Sequence, residues 1–296
     1  MNSAKQTYRS FSDKWEKNKD LAFSETLREG SDIYSWILNR NGFRSSGEFK
    51  NWLSKKNKIL DAGCGNGRVT ALLRKHSPEA TQITGIDLTA AHIAKENLNK
   101  FQNLEFKKFD LLDDLSELGK FDLIYCQEVL HHTVNPEQAF KNLCSLLEVG
   151  GEIAIYVYKL KAPSREFCDE FIRNEISNLP YEKSMKVMRE ITDFGRALHN
   201  TDKNVTVPNL EVMGIKGGTY SIQRLIYHFF MKCFWNPDLD FDANSAINYD
   251  WYHPQLCSKH SLEEVEDWFI KNELSIKHTN VDHYGITLRG TKDKSQ

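Results

Sequence analysis

Asp61, Gly63, Gly65 and Gly67 stand as D-x-G-x-G-x-G inside "KILDAGCGNGRVTALLRK", which begins at Lys58. Glycines at this spacing, between a short apolar run and a helical pattern, let the backbone turn sharply and approach a ligand with no Cβ in the way. The chemistry they suit is the holding of a nucleotide. A dinucleotide site would require G-x-G-x-x-G, and its third glycine would fall where Arg68 stands. The Gly-Lys-Ser/Thr ending that grips a triphosphate is missing too.

Two further acids extend the pattern. The next apolar run ends at Asp87, where a carboxylate at the carboxyl edge of a sheet can accept both hydroxyls of a ribose, with Leu88 beside it. A third run ends in Asp110, which can accept from an adenine amino group while Leu111 and Leu112 pack on the ring. Any one of these acids alone could be a helix cap. Three at successive strand ends point to one nucleoside site.

Groups for proton transfer and acceptor binding are more scattered. "QEVLHHTVNP" places Glu128, His131 and His132 just past a strand end, where a histidine can act as a base or position a hydroxyl or amine. Adjacent residues point apart, so the two histidines are not read as a metal pair. "INYDWYHPQ" supplies Asn248, Tyr249, Asp250, Trp251, Tyr252 and His253, a mixture of flat apolar faces and polar tips suited to the wall of a small-molecule pocket. Tyr249 is a further catalytic candidate, and the tyrosines with Asp250 would suit a cationic amine. Tyr158 and Lys159 leave the fifth strand near the same edge. Tyr8 and Trp15, in "TYRSFSDKW", are placed in an amino-terminal lid. "DLDFDAN" from Asp238 imitates a calcium loop, but Ala243 and Tyr249 stand where Gly and Glu are needed.

The elements that must position these residues follow from periodicity. Residues 1–57 read as helical. "KILDAG", "QITGID", "LEFKKFD", "FDLIYC" and "EIAIYVY" read as five strands, with helices at 66–76, from 89 to about 100, and at 136–148. This alternation predicts an α/β fold, a doubly wound, Rossmann-like, mostly parallel sheet. From Lys159 the alternation stops. Helical patterns at 164–177, 181–199 and 218–234 and a polar, aromatic loop to His260 form an inserted, mainly helical cap. Ser261 and Glu264 make a capping box that starts the last helix, and two paired strands close the chain. The expected division is 1–57 as an amino-terminal helical lid, 58–158 with 261–296 as the core, and 159–260 as the cap and substrate region.

"ILDAGCGNG", "TGIDLT", "FKKFDLL", "FDLIYCQEVLHHTVNP" and "LLEVGGEIAIYVY" resemble, in order and spacing, the successive motifs of class I S-adenosylmethionine-dependent methyltransferases. The resemblance implies an antiparallel last strand and binding of S-adenosylmethionine, with S-adenosylhomocysteine as product. It implies that Gly63, Gly65 and Gly67 line the methionine part, with Asp61 holding the loop or the amino group. Asp87 would take the ribose diol and Asp110 the adenine amine, and Gln127 and Glu128 would face the methyl and the substrate. The proline-tyrosine motif of base amino-group methylation is absent after the fourth strand.

The whole chain narrows the partners. Its 296 residues carry a net charge of −2 with no massed Lys or Arg, which disfavours nucleic acid. The start has no apolar run of a secretory signal, and "LIYHFFMKCFW" is too short to span a bilayer. Six cysteines without C-x-x-C pairing or metal-ligand spacing suit a reduced, cytoplasmic protein. The expectation is a methyltransferase acting on a small metabolite, without metal, with N, O, S or C as acceptor atom and the oligomeric state open, a homodimer included. Its rivals are a macromolecular (RNA or protein) methyltransferase, a non-catalytic cofactor-binding module whose cap docks a partner, and a nicotinamide oxidoreductase.

Overall fold

A computed structural model describes residues 2–293. Residues 1 and 294–296, which the sequence division assigns to the lid and the core, lie outside the described residues. In chain order the helices and strands are α1 (Ser3–Lys17), α2 (Phe23–Leu27), α3 (Asp32–Arg40), α4 (Ser46–Leu53), β1 (Lys58–Ala62), α5 (Arg68–His76), β2 (Gln82–Ile86), α6 (Ala91–Asn97) and β3 (Leu104–Lys107). They continue as β4 (Phe121–Gln127), α7 (Pro136–Ser145), β5 (Leu147–Tyr158), α8 (Pro163–Ile176), α9 (Tyr181–Asn200), β6 (Asn204–Val207), β7 (Gly218–Ser221) and α10 (Ile222–Phe229). The last are α11 (Phe241–Tyr252), α12 (Leu262–Lys271), β8 (Leu274–Val281) and β9 (Gly285–Lys292).

The chain divides into two compact units, residues 19–159 with 258–293, and residues 2–18 with 160–257. The first holds a seven-stranded sheet in the order β3-β2-β1-β4-β5-β9-β8. β1 to β5 run parallel, and β9 is antiparallel to both β5 and β8. Successive strand residues face opposite sides. Ile59, Leu123 and Ala154 accordingly join a core with α3, α4 and α5. Leu60, Ile124 and Ile155 join another with α7 and α12. Burial on both faces explains why these strands read as continuous apolar runs without alternation.

Helix starts are set by local chemistry. Ser31, Ser45, Asn135 and Ser261 each accept a backbone N–H of the first turn, and Pro136 occupies the first position of α7. Residues 19–57, assigned to a lid by sequence, fold with the sheet; of the amino-terminal segment only the stretch through Asn18 packs with the inserted residues.

The second unit departs further from the sequence reading. The expected helix over 218–234 opens instead with the strand β7, paired with β6 at 204–207, and continues as the eight-residue α10. Gly217 and Gly218 interrupt the helical pattern, and Ser221 caps the shortened helix through the Arg224 N–H. The expected loop at 247–255 is largely α11. Asp240 of the failed calcium pattern is its N-cap, accepting from the Ala243 N–H at 2.7 Å. The third strand stops at Lys107, short of the expected Asp110.

Candidate functional site

The site begins where β1 ends. Gly63, Gly65 and Gly67 have φ of 85°, 53° and 87°, all in the left-handed region that glycine enters freely. At Gly63 a Cβ would come within 2.2 Å of a Val129 methyl, so the loop lies directly on the segment that follows β4. Asp61 is buried behind the loop and accepts from the Thr70 hydroxyl at 2.5 Å, tying β1 to the first turn of α5. Burial, with the nearby Asp87 charge adding, pushes its carboxyl up to about 7, against the Thr70 hydrogen bond and the Arg68 charge.

Asp87 follows β2. Its Oδ2 accepts from the Gly65 N–H at 3.0 Å, and its Oδ1 takes the Thr89 N–H, the Thr89 hydroxyl and the Ala90 N–H at 2.7, 2.9 and 2.8 Å. One carboxylate therefore fixes both the middle of the glycine loop and the turn into α6. Oδ1 takes three donors and Oδ2 one, which leaves an acceptor position open on Oδ2. Leu88 is half-buried beside it. Asp110 lies three residues beyond β3, in a turn where its Oδ1 accepts the Leu112 N–H at 3.0 Å. Leu111 belongs to the core, with Leu112 packed against it.

β4 brings the other wall. Gln127, 8% exposed, ends the strand, and neither of its side-chain polar atoms has a hydrogen-bond partner among the described residues. Glu128 holds φ of 66°, a strained value for a residue with a Cβ, of the kind that clusters at functional sites. Its carboxylate lies 3.5 Å from Arg68 Nη2 and 4.0 Å from Arg40 Nη2. His131 is buried with its ring stacked on Tyr158 at 3.6 Å, and half-buried His132 meets the same tyrosine edge-on at 5.6 Å. Lys159 follows Tyr158 and bridges to His260. Glu128, His131, His132, Tyr158 and Lys159 are thus gathered at the carboxyl ends of β4 and β5.

The remaining candidates belong to the other unit, and most serve as its core. Trp251 Nε1 and the Tyr252 hydroxyl donate to Asp169 at 2.7 and 2.9 Å. Asn248 exchanges hydrogen bonds with the Phe234 backbone and Thr192. His253 is held by Ser10 and the Leu179 carbonyl, and burial lowers its pKa to about 4. Asp250 pairs with Lys14 at 2.9 Å, and the same ammonium lies 4.0 Å from the Trp15 ring. Tyr8 is exposed. These side chains are committed within the unit, so the pocket wall expected at 248–253 is corrected to packing, and the amine preference built on it loses its support. Tyr249, 1% exposed and stacked on His253 at 4.5 Å, has its hydroxyl pKa raised by burial, the reverse of what a base requires.

Two residues went unsuggested by the sequence reading. Arg40 ends α3, 2% exposed, with its guanidinium 3.7 Å from the Trp36 ring and 4.5 Å from that of Tyr156. The available signal was a charge four residues after Trp36 on the apolar face of a helix. Arg68, noticed only as a departure from a glycine pattern, links the loop to Thr26 and Glu128. Among the described residues no group of three or more His, Cys, Asp or Glu side chains could hold a metal ion.

Comparison with known proteins agrees with this frame. A methyltransferase-domain family model matches residues 53–206, more than half of the chain. A ubiquinone biosynthesis O-methyltransferase from Coxiella burnetii is 30% identical over 102 residues, covering 33% of this chain and 42% of that protein. A trans-aconitate 2-methyltransferase from Deinococcus radiodurans is 35% identical over 100 residues, 34% of this chain and 37% of the relative. The chain therefore spans less than half the length of these relatives. The structure of PKMT2 from Rickettsia typhi overlays with a TM-score of 0.50 at 22% identity, over 74% of this chain and 39% of that one, a likeness of fold. A left-handed glycine loop, acids at or beyond the ends of three successive strands and an antiparallel β9 beside β5, together with the family match, place the chain in the class I S-adenosylmethionine-dependent methyltransferases.

Proposed function

We propose that the protein transfers a methyl group from S-adenosylmethionine to a small-molecule acceptor. The observation that carries this reading is the coupling of Gly65 to Asp87, because it aligns a close-approach loop with a carboxylate at the next strand end. When bound, the cofactor supplies a methyl on a positively charged sulfur. Gly63, Gly65 and Gly67 give the methionine end close backbone approach, with Asp61 bracing the loop. Asp87 accepts from the ribose, Leu88 and Leu111 flank the adenine, and Asp110 accepts from its amine. Gln127 borders the transfer edge.

Transfer is an in-line displacement, so the main task of these residues is alignment and exclusion of water. For an acceptor that carries a proton, His132 is the proposed proton acceptor, being half-buried beside Tyr158. Buried His131 orients that tyrosine, and Glu128 is held by two arginines at the rim. Tyr158 and Lys159 face the acceptor. A metabolite acceptor is supported by the small-molecule names of the relatives and by a net charge of −2. A cytoplasmic setting is part of the proposal, supported by six free thiols. Among the described residues no helix is long and apolar enough to cross a membrane.

Calorimetric titration of the protein and of Asp87→Ala with S-adenosylmethionine, S-adenosylhomocysteine and NAD tests the reading. Binding of the first two, lost in the variant, is expected. Binding of NAD alone, or of none, would overturn it.

A further inference from the structure

We propose that Arg40 and Gln127 form an anchor for a carboxylate on the methyl acceptor. The inference rests on the methyltransferase reading and names the class of acceptor. Arg40 is buried, yet its Nε and Nη1 have no hydrogen-bond partner among the described residues. Its polar neighbours are Glu128, which lies 4.0 Å from Nη2 and is shared with Arg68, and the hydroxyl of Tyr125. A buried cation with open donors is costly, and an arriving acceptor would offset that cost.

The surroundings specify the acceptor's chemistry. Trp36 and Tyr156 present their rings to the guanidinium, and these two rings meet edge-to-face at 5.6 Å, which fixes the cation's position. Tyr156 is the register partner of Gln127 across β4 and β5, so both side chains rise from the same sheet face. Gln127 adds an unpartnered amide N–H₂ and carbonyl beside the same tyrosine. A planar guanidinium matches a carboxylate in two-pronged fashion, and a neutral amide adds a donor without repelling the anion. A cationic acceptor would meet the Arg40 charge.

Position separates this anchor from the nucleoside end. β2, which precedes Asp87, and β5, which carries Tyr156, are separated in the sheet by β1 and β4. The glycine loop follows β1, so the cofactor's ribose and methionine ends lie toward β2 and β1, and an acceptor beyond them reaches β4 and β5. The competing source of a carboxylate is the cofactor's own methionine end.

The experiment separates these sources. S-adenosylhomocysteine is titrated into wild type, Arg40→Met and Gln127→Leu. Succinate and benzoate, with succinamide and benzamide as uncharged partners, are then titrated into the S-adenosylhomocysteine-saturated proteins. The expected result is carboxylate binding at least tenfold tighter than that of the amides. Arg40→Met should abolish this preference and keep S-adenosylhomocysteine affinity within threefold; Gln127→Leu should weaken carboxylate binding several-fold. Equal binding of acids and amides by the wild type overturns the proposal and leaves the methyltransferase reading intact. Loss of S-adenosylhomocysteine binding in a folded Arg40→Met protein also overturns it, assigning the arginine to the cofactor. Should that variant not fold, the wild-type preference and Gln127→Leu decide. Failure of the wild type to bind S-adenosylhomocysteine strikes the earlier reading instead.

Discussion

Adding one methyl group at Gly63 tests the loop directly, because the new Cβ meets Val129 at 2.2 Å on a backbone with φ of 85°. Gly63→Ala is expected to cost about 1–3 kcal/mol of stability through strain and overpacking. It should weaken S-adenosylhomocysteine binding at least tenfold by calorimetry, and unchanged affinity would contradict the close approach. Asp61 offers a test by pH. Its folded-state pKa, near 7, stands above the ordinary 3.8, so the native state binds the proton more tightly than the unfolded chain. Stability from this group is therefore greatest at acid pH, falls between about 4 and 7, and is level above that window. Asp61→Asn keeps an acceptor for Thr70 and removes the ionisation. Its melting temperature relative to wild type should rise by several degrees from pH 5 to 8; a constant difference would refute the burial argument. The turn of the glycine loop was legible because its signal is spacing within one strand-turn-helix unit. Arg40 was not, since its meaning depends on Tyr156 and Gln127, far along the chain.

Among the elements, α8 and α11 are joined by one buried carboxylate. Asp169 accepts from Arg165 Nε, the Lys232 N–H, Trp251 Nε1 and the Tyr252 hydroxyl at 2.5, 3.1, 2.7 and 2.9 Å. Asp169→Ala removes the acceptor and leaves the Arg165 charge buried, which should destabilise the unit by about 3–5 kcal/mol. Urea denaturation followed by tryptophan fluorescence measures this, and a loss under 1 kcal/mol would mean the network is dispensable. The same network explains the misread aromatic segment. A run of polar-tipped rings has the composition of a pocket wall and equally that of a polar core, and only the partners on α8 and at Lys232 and Phe234 distinguish them. The strands of the sheet and the cap of α12 were read correctly because apolar runs and an S-x-x-E box are local signals. The β6–β7 hairpin was not, since a four-residue strand pairs with residues more than ten positions away.

At the scale of the molecule, two compact units predict two calorimetric transitions, of which one responds to S-adenosylhomocysteine. At one hundred times its dissociation constant the ligand should stabilise the sheet-containing unit by about 2.7 kcal/mol. Asp169→Ala should lower the other transition. A single transition in both the wild type and the variant would show that the units melt together. The parallel part of the sheet was readable from alternation and its antiparallel last strand from the family resemblance, whereas the allegiance of residues 2–18 to the inserted segment was not. Gln6 and Ser10 of α1 reach His253 across some 240 positions of sequence, and no local pattern records such a pairing.

The chain leaves the sheet unit after Lys159 and re-enters it at Ser258, and these two points adjoin. Lys159 bridges to His260, the His260 N–H donates to the Tyr158 carbonyl at 2.9 Å, and the Ser258 N–H donates to the His131 carbonyl at 2.9 Å. Everything between departs and returns through one stapled neck. A segment attached in this way can be altered inside without moving the strands at its two ends. Its length can change while the strand register and the glycine loop stay untouched, as long as the surface that holds α1 through Gln6, Ser10 and Lys14 is kept.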